Sequence, residues 1–295
     1  MTKFAGAARR LRVALIAAGA LLAIAPVLAQ TAPTVPWPAV GEPVAAARTA
    51  GRWLWGDLVS TDVARSRDFY GRVFGWEFRD IAGADGQPGY VTIVANGRPL
   101  GGIVAARSGG KGARWVGLVS GDPKTMSTRA TERGGAVVLA PRVLPGRGEV
   151  AVISDPQGAR FGVVLTEQGD PADFVGAFNE WLWVELWTPE PGRAVDFYQA
   201  VFGYAVSAAP GKGGAGYVLS AGGRARAGVL LTPDPSLPAA WVPYVRVADV
   251  AQTVALAREH GARVVVAPRR HHRGQVAVLV DPLGAPFAVA DWGAR

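Results

Sequence analysis

The sequence contains no cysteine among its 295 residues. That absence excludes disulfides, thiolate metal sites, a lipid-anchored amino-terminal cysteine and any thiol nucleophile. Histidine is nearly as scarce: there are three, His260, His271 and His272, all in the second half. No Gly-x-Ser-x-Gly elbow occurs, so that route to a serine hydrolase is missing too. The glycine-rich stretches Gly109-Gly110-Lys111-Gly112 and Gly211-Lys212-Gly213-Gly214 do not join a strand to a helix as a phosphate loop must. The formal charge is +8, but the arginines are scattered through both halves without long basic runs, which argues against nucleic-acid binding.

What is present is a duplication. Trp53-Leu54-Trp55-Gly56-Asp57-Leu58 recurs as Trp181-Leu182-Trp183-Val184-Glu185-Leu186. Asp68-Phe69-Tyr70 and Val73-Phe74-Gly75 recur as Asp196-Phe197-Tyr198 and Val201-Phe202-Gly203, again 128 residues on. Solenoid units run about 20–50 residues, so a period this long is that of a whole domain. The copies span 51–168 and 179–293, joined by a link containing Gly169, Asp170 and Pro171.

The first residues belong to neither copy. Lys3, Arg9, Arg10 and Arg12 precede an apolar run from Val13 to Ala29, ending in the small residues a signal peptidase cuts behind. The expectation is a signal peptide over 1–29 with cleavage after Ala29, placing the protein in the periplasm or outside the cell. The alternative is an uncleaved anchor, since about 17 apolar residues reach the lower edge for spanning a bilayer. Cleavage removes four basic residues and no acids, bringing the charge to +4 and leaving no stable membrane insertion. Residues 30–50, rich in Pro, Ala, Thr and Val, read as a flexible linker.

Within one copy the residues from Trp53 to Ser60 alternate as a strand, and Thr61-Asp62 caps a helix stopped by Gly75. Three strands follow, near 76–78, 89–95 and 102–106. The order then repeats: a strand at 115–120, a helix at 122–133, and strands at 136–140, 149–154 and 160–165. Asp155-Pro156-Gln157-Gly158 is a turn between the last two, and Asp281-Pro282-Leu283-Gly284 is its counterpart. The chain is therefore α+β, with four βαβββ modules, two per copy.

This order, with the Phe-Tyr…Phe-Gly helix end and the Asp-Pro-x-Gly turn, resembles the vicinal oxygen chelate superfamily of glyoxalases, bleomycin-resistance proteins and extradiol dioxygenases. The resemblance covers nearly all of 50–168 and 179–293. It implies that paired modules curl into two half-barrel, glyoxalase-like domains, each with a concave face that holds a ligand. It also implies a divalent metal, held by two His and a Glu, in the family's enzymes. Counted from the helix caps and closing turns, those places fall on Trp55, Trp115 and Gly162, and on Trp183, Val242 and Ala288. None of these ligates a metal, so the expectation is no metal and no cofactor. His260, at a helix end, suits the helix dipole, and adjacent His271 and His272 point to opposite strand faces.

Asp57 and Glu185 lie two residues beyond Trp55 and Trp183 on the same strand face. Each is a candidate general acid or base, or an acid that recognises a ligand. Each is equally a carboxylate satisfied by a nearby arginine or amide. Trp55, Tyr90, Trp115, Trp183, Tyr217, Tyr244 and Arg246 are the candidate ligand-binding residues, since indoles and phenols on a concave surface suit a planar or aromatic molecule. Trp53 and Trp181 are expected in the core or between the copies. Three functions stay open: metal-independent binding of a small molecule, a lyase, isomerase or dioxygenase using Asp57 or Glu185, and an envelope module that binds another protein. The sequence leaves the oligomeric state unspecified.

Overall fold

The computed structural model describes residues 37–40, 43–46, 48–82, 88–106, 112–173, 176–209, 216–271 and 273–292. The leader, most of the linker, the glycine stretches at 109–111 and 211–214, and His272 lie outside them. No helix among the described residues is long and apolar enough to cross a membrane.

A short strand, β1 (Pro43–Ala46), precedes the first copy. That copy runs β2 (Trp53–Ser60), α1 (Val63–Phe74), β3 (Glu77–Ala82), β4 (Pro88–Ala95) and β5 (Arg98–Ala105). It continues β6 (Ala113–Ser120), α2 (Pro123–Glu132), β7 (Ala136–Leu144), β8 (Gly148–Ser154) and β9 (Arg160–Thr166). The link holds β10 (Asp170–Pro171), which pairs with β1. The second copy runs β11 (Trp181–Thr188), α3 (Pro191–Phe202), β12 (Ala205–Ala208), β13 (Tyr217–Ala221) and β14 (Arg224–Leu231). It ends β15 (Ala240–Arg246), α4 (Val250–Glu259), β16 (Arg263–His271), β17 (Gly274–Val280) and β18 (Pro286–Ala290).

The helix ends follow from local chemistry. Asp62, Asp122 and Asp249 each accept a hydrogen bond from the backbone N–H three residues on, at 2.9, 2.7 and 2.9 Å. Glu190, before α3, makes no such bond, and Pro191 opens that helix instead. Gly75 and Gly203 stop α1 and α3 in the left-handed conformation.

Each copy forms one eight-stranded mixed sheet, in the orders β3-β4-β5-β2-β6-β9-β8-β7 and β12-β13-β14-β11-β15-β18-β17-β16. In both, the two modules join through an antiparallel pair at the centre, β2 with β6 and β11 with β15. This is the paired-module α+β architecture the sequence implies, realised twice.

The apolar cores are shared between the copies. One cluster joins Leu58, Phe69, Tyr70, Phe74 and Ile103 of the first copy to Val245, Val254, Leu279 and Phe287 of the second. The other joins Met126, Ile153 and Phe161 to Phe197, Tyr198, Leu219 and Trp241. Helix α1 accordingly packs beside α4, and α2 beside α3. Residues 33–295 form one compact unit.

Polar ties cross the same seam in matched pairs. Asp281 Oδ1 accepts the N–H groups of Leu283 and Ala285 at 2.9 and 2.8 Å, closing its own turn. Its Oδ2 accepts the hydroxyl of Tyr70 of the other copy at 3.0 Å, and that hydroxyl in turn accepts Trp115 Nε1 at 3.0 Å. Asp155 closes its turn in the same way and accepts Tyr198 at 3.1 Å, while Trp241 Nε1 donates to Tyr198 at 3.0 Å. Trp76 Nε1 donates to the carbonyl of Asn179, and Tyr204 donates to the carbonyl of Gly51, the matching residue of the other copy.

Tyr70→Phe and Tyr198→Phe are each expected to cost about 1–3 kcal/mol, because each leaves a buried carboxylate oxygen and an indole N–H unpaired. The two tyrosines share no hydrogen-bond partner, so the double variant is expected to lose the sum within about 0.5 kcal/mol. Urea unfolding of the three variants checks both points; a neutral Tyr70→Phe would contradict the seam's polar role.

Candidate functional site

The sheet faces turned away from the seam form two cups, and the strand registers show what fills them. Trp55 pairs with Leu118, and Leu118 with Gly162. In the second copy Trp183 pairs with Tyr244, and Tyr244 with Ala288. These rows cross the floors of the cups. Trp115 is opposite Leu58, and residues paired across an antiparallel ladder share a face, so its indole points into the seam. Counting from a helix cap fixes distance along a strand; cross-strand pairing fixes the face.

In the first cup Asp57 is fully engaged. Its Oδ1 accepts Trp55 Nε1 at 2.9 Å and the Tyr90 hydroxyl. Its Oδ2 accepts Arg147 Nη1 at 2.9 Å, and Arg147 Nη2 donates to the Tyr90 oxygen at 2.9 Å. Tyr90 reaches this point because Gly102 lies beneath its hydroxyl; a Cβ there would collide with the phenol. Arg147 comes from the turn between β7 and β8, and its side chain is 1% exposed. Its guanidinium lies 5.1, 5.5 and 4.9 Å from the ring centroids of Trp37, Trp55 and Tyr90. Arg147 Nε also donates to the carbonyl of Pro38 at 3.3 Å, and Trp37 N–H bonds to the carbonyl of Pro145. The segment from Trp37 to Val40 therefore packs onto this cup. Burial would lower the basicity of Arg147, but Asp57 and Tyr90 outweigh it and raise the pKa.

The second cup keeps the acid and lacks the lock. Glu185 is 8% exposed and forms no ion pair among the described residues. Its Oε2 accepts the Tyr244 hydroxyl and Trp187 Nε1, the latter at 3.3 Å. Burial pushes its pKa up, while hydrogen bonds from Tyr244, Trp187 and Trp183 and the charge of Arg269 oppose that push. Burial, and then Glu185 itself, hold the Tyr244 phenol well above its ordinary value. Val242, Val276, Val278, Ala288 and Ala290 line the apolar wall, and Trp292 lies 5.5 Å from Tyr244 and stacks on His271. Trp183 and Leu182 stay partly exposed at the edge. The turn residue matching Arg147-Gly148 is Arg273-Gly274, and Arg273 is exposed.

The structure thus collects Trp55, Tyr90 and Asp57 in one cup and Trp183, Tyr244 and Glu185 in the other. Trp115 sits in the seam. Tyr217 packs half-buried against the core cluster around α3. Arg246 donates to the carbonyl of Gly176 at 3.1 Å and lies over the Phe178 ring. Trp53 and Trp181 lie at the seam; Trp181 Nε1 donates to the carbonyl of Leu100 at 2.8 Å. Arg147 and Trp37 escaped sequence reasoning. The one signal for Arg147 was the matched Arg-Gly pair in the two turns.

Neither row across the cup floors carries the two-histidine, one-glutamate donor set that the resemblance implies for the family's enzymes. Trp55, Leu118 and Gly162 offer no donor, and the Tyr244 phenol is the one oxygen in the second row. No group of three or more His, Cys, Asp and Glu among the described residues is placed to hold an ion. Arg147 beside Asp57 adds a positive charge where a cation would need a negative one.

Comparison with known proteins places this geometry. Residues 52–163 match the model of the Glyoxalase/Bleomycin resistance protein/Dioxygenase superfamily, and residues 183–290 match that of a Glyoxalase-like domain. CFP32 of Mycobacterium tuberculosis, named provisionally as a glyoxylase, is 32% identical over 241 residues, covering 80% of this chain and 92% of that protein. The anthracycline biosynthesis protein DnrV of Streptomyces peucetius is 32% identical over 257 residues, covering 82% and 93%. Among solved structures, the Mn(II)-bound glyoxalase from Novosphingobium aromaticivorans shares the fold with a TM-score of 0.57 at 18% identity, over 84% of each chain. The chain belongs to the glyoxalase/bleomycin resistance protein/dioxygenase superfamily, with its glyoxalase-like domain present in two tandem copies.

Arg147→Ala is expected to destabilise the protein by about 3–5 kcal/mol, since it strands a buried Asp57 carboxylate. The double variant Asp57→Asn, Arg147→Met is expected to recover most of that loss. Denaturant midpoints decide the matter: equal losses in single and double variants would show that the ion pair is not what holds the cup.

Proposed function

We propose that the protein is an exported, metal-independent binder of a small planar or aromatic molecule, and that the second copy's cup is the binding site. The carrying observation is the contrast at matched positions: Asp57 is locked by Arg147, whereas Glu185 has only neutral hydrogen-bond donors and partly exposed indole beside it. A planar ligand stacks on Trp183 and shares a hydrogen bond with the Glu185–Tyr244 pair. The relatives named for anthracycline biosynthesis support a ligand of this shape. The first cup, closed by Trp37 to Val40, serves as the structural counterpart. The basic and apolar leader supports export.

A second reading, acid–base catalysis by Glu185, draws on its raised pKa, which moves a carboxyl toward the range useful for proton transfer at neutral pH. Turnover of a candidate aldehyde or phenol that falls at least about a hundredfold in Glu185→Gln would select this reading.

Titration with an anthraquinone, followed by tryptophan fluorescence, is expected to show saturable quenching that chelator does not change. Glu185→Ala is expected to weaken it about tenfold, the worth of one buried hydrogen bond. Quenching that chelator abolishes and manganese restores would overturn the proposal.

The same residue sets a pH dependence. A carboxyl whose folded pKa lies above its unfolded value binds more protons folded, so its stabilising effect is present below 4.5 and lost as pH rises through the folded value. Thermal midpoints of the wild type are expected to fall across that window more steeply than those of Glu185→Gln. The difference reaches at most about 1.4 kcal/mol per pH unit. Parallel curves would contradict it.

A further inference from the structure

Two donors around the second cup have no partner. Trp292 packs in the cup's apolar wall with Tyr244, Ala288 and Ala290, and its Nε1 is buried without a hydrogen bond among the described residues. The other is Arg269, on the edge strand β16. It makes no ion pair among the described residues.

The sheet register decides where Arg269 stands. It pairs with Val276 across the antiparallel β16–β17 ladder, and Val276 belongs to the cup's apolar wall, so Arg269 is on the cup face. Pro268 before it has no N–H to give the ladder, and the register shifts between Val266 and Arg269. Such a bulge bends the strand that carries it and re-aims a side chain. In the order β11-β15-β18-β17-β16 the strand of Arg269 is four places from that of Glu185, about 19 Å away were the sheet flat. The charge of Arg269 nevertheless acts on both Glu185 and Tyr244. The sheet therefore curls and sets the edge strand facing the acid across the cup. Arg269 and Glu185 do not meet as an ion pair, so the guanidinium fork stays free and a gap remains between them.

The first copy supplies the contrast. Ala140-Pro141-Arg142 recurs as Ala267-Pro268-Arg269, and Arg142 pairs with Val150 as Arg269 does with Val276. There the acid already holds Arg147, and the segment from Trp37 to Val40 covers the cup.

We infer that the ligand of the second cup is an aromatic carboxylate, whose ring stacks on Trp183 and whose carboxylate is taken by Arg269. This rests on the second cup being the binding site, and adds the charge that its ligand carries. Forked guanidinium and carboxylate match in geometry. Arg269 is exposed, so the charged end lies at the mouth, where desolvating it costs least, and the ring lies inward. Trp292 Nε1 offers a further donor to an oxygen of the ligand.

Fluorescence titration of the full chain with anthraquinone-2-carboxylate, and with the uncharged anthraquinone-2-carboxamide, tests the assignment. The carboxylate is expected to bind at least about tenfold tighter, because a charged hydrogen bond contributes roughly twice a neutral one. Salt is expected to narrow the gap, since Arg269 is exposed. Arg269→Gln is expected to bring the carboxylate down to the affinity of the carboxamide. Arg269→Lys is expected to keep part of the preference, having the charge without the fork. Arg142→Gln removes the same charge from the matching strand of the first copy and is expected to keep the full preference. Equal affinities in the wild type, or a preference lost as fully in Arg142→Gln as in Arg269→Gln, would overturn the inference while leaving the cup a binding site. Failure of both probes to bind would overturn the binding reading itself, and the inference with it.

Discussion

The whole molecule rests on one exchange. Each copy lends its first helix to the other, and the tyrosine on that helix donates to the aspartate of the other copy's closing turn. Each aspartate uses one oxygen to hold its own turn and the second to hold its neighbour. Tyr70 and Tyr198 therefore couple turn geometry to assembly, and apolar burial around Phe69, Phe161, Phe197 and Phe287 supplies the bulk of the driving force. A sheet with one apolar face must bury that face against another layer. Here each copy's first helix meets the other copy's second module.

With much of their inner faces committed to the seam, the sheets turn their outer faces to the two cups. The copies have spent that freedom differently. In the first, a buried arginine bridges acid and phenol under three aromatic rings, and the chain just upstream packs over it. In the second, the matching arginine is exposed, and the acid keeps company with neutral donors. A buried carboxyl in that setting holds its proton more tightly, an effect of its environment.

Much of the fold was legible because its signals are local. Aspartate caps, the Gly75 stop, the Asp-Pro-x-Gly turns and alternation from Trp53 to Ser60 each act within a few residues, and duplication repeated them at fixed spacing. The pairing of Trp55 with Asp57 was legible too, since residues two apart on a strand share a face. The face of Trp115 was not, because it depends on which residue lies opposite across the sheet. Arg147 was hidden for a related reason: it meets Asp57 across 90 residues of chain, and nothing in its neighbours announces the contact. Tyr217 and Arg246 carried the right chemistry for a ligand site, and packing took them elsewhere.

The capped first cup has a bearing on how the gene can drift. A half whose pocket is filled by its own arginine and its own upstream segment gains nothing from altering that pocket and loses stability from most changes. It is held still by its architecture. The other half inherits a rigid platform and is free to sample new residues along its rim, so divergence among close relatives should gather around the Glu185 side of the protein, with the Asp57 side acting as ballast.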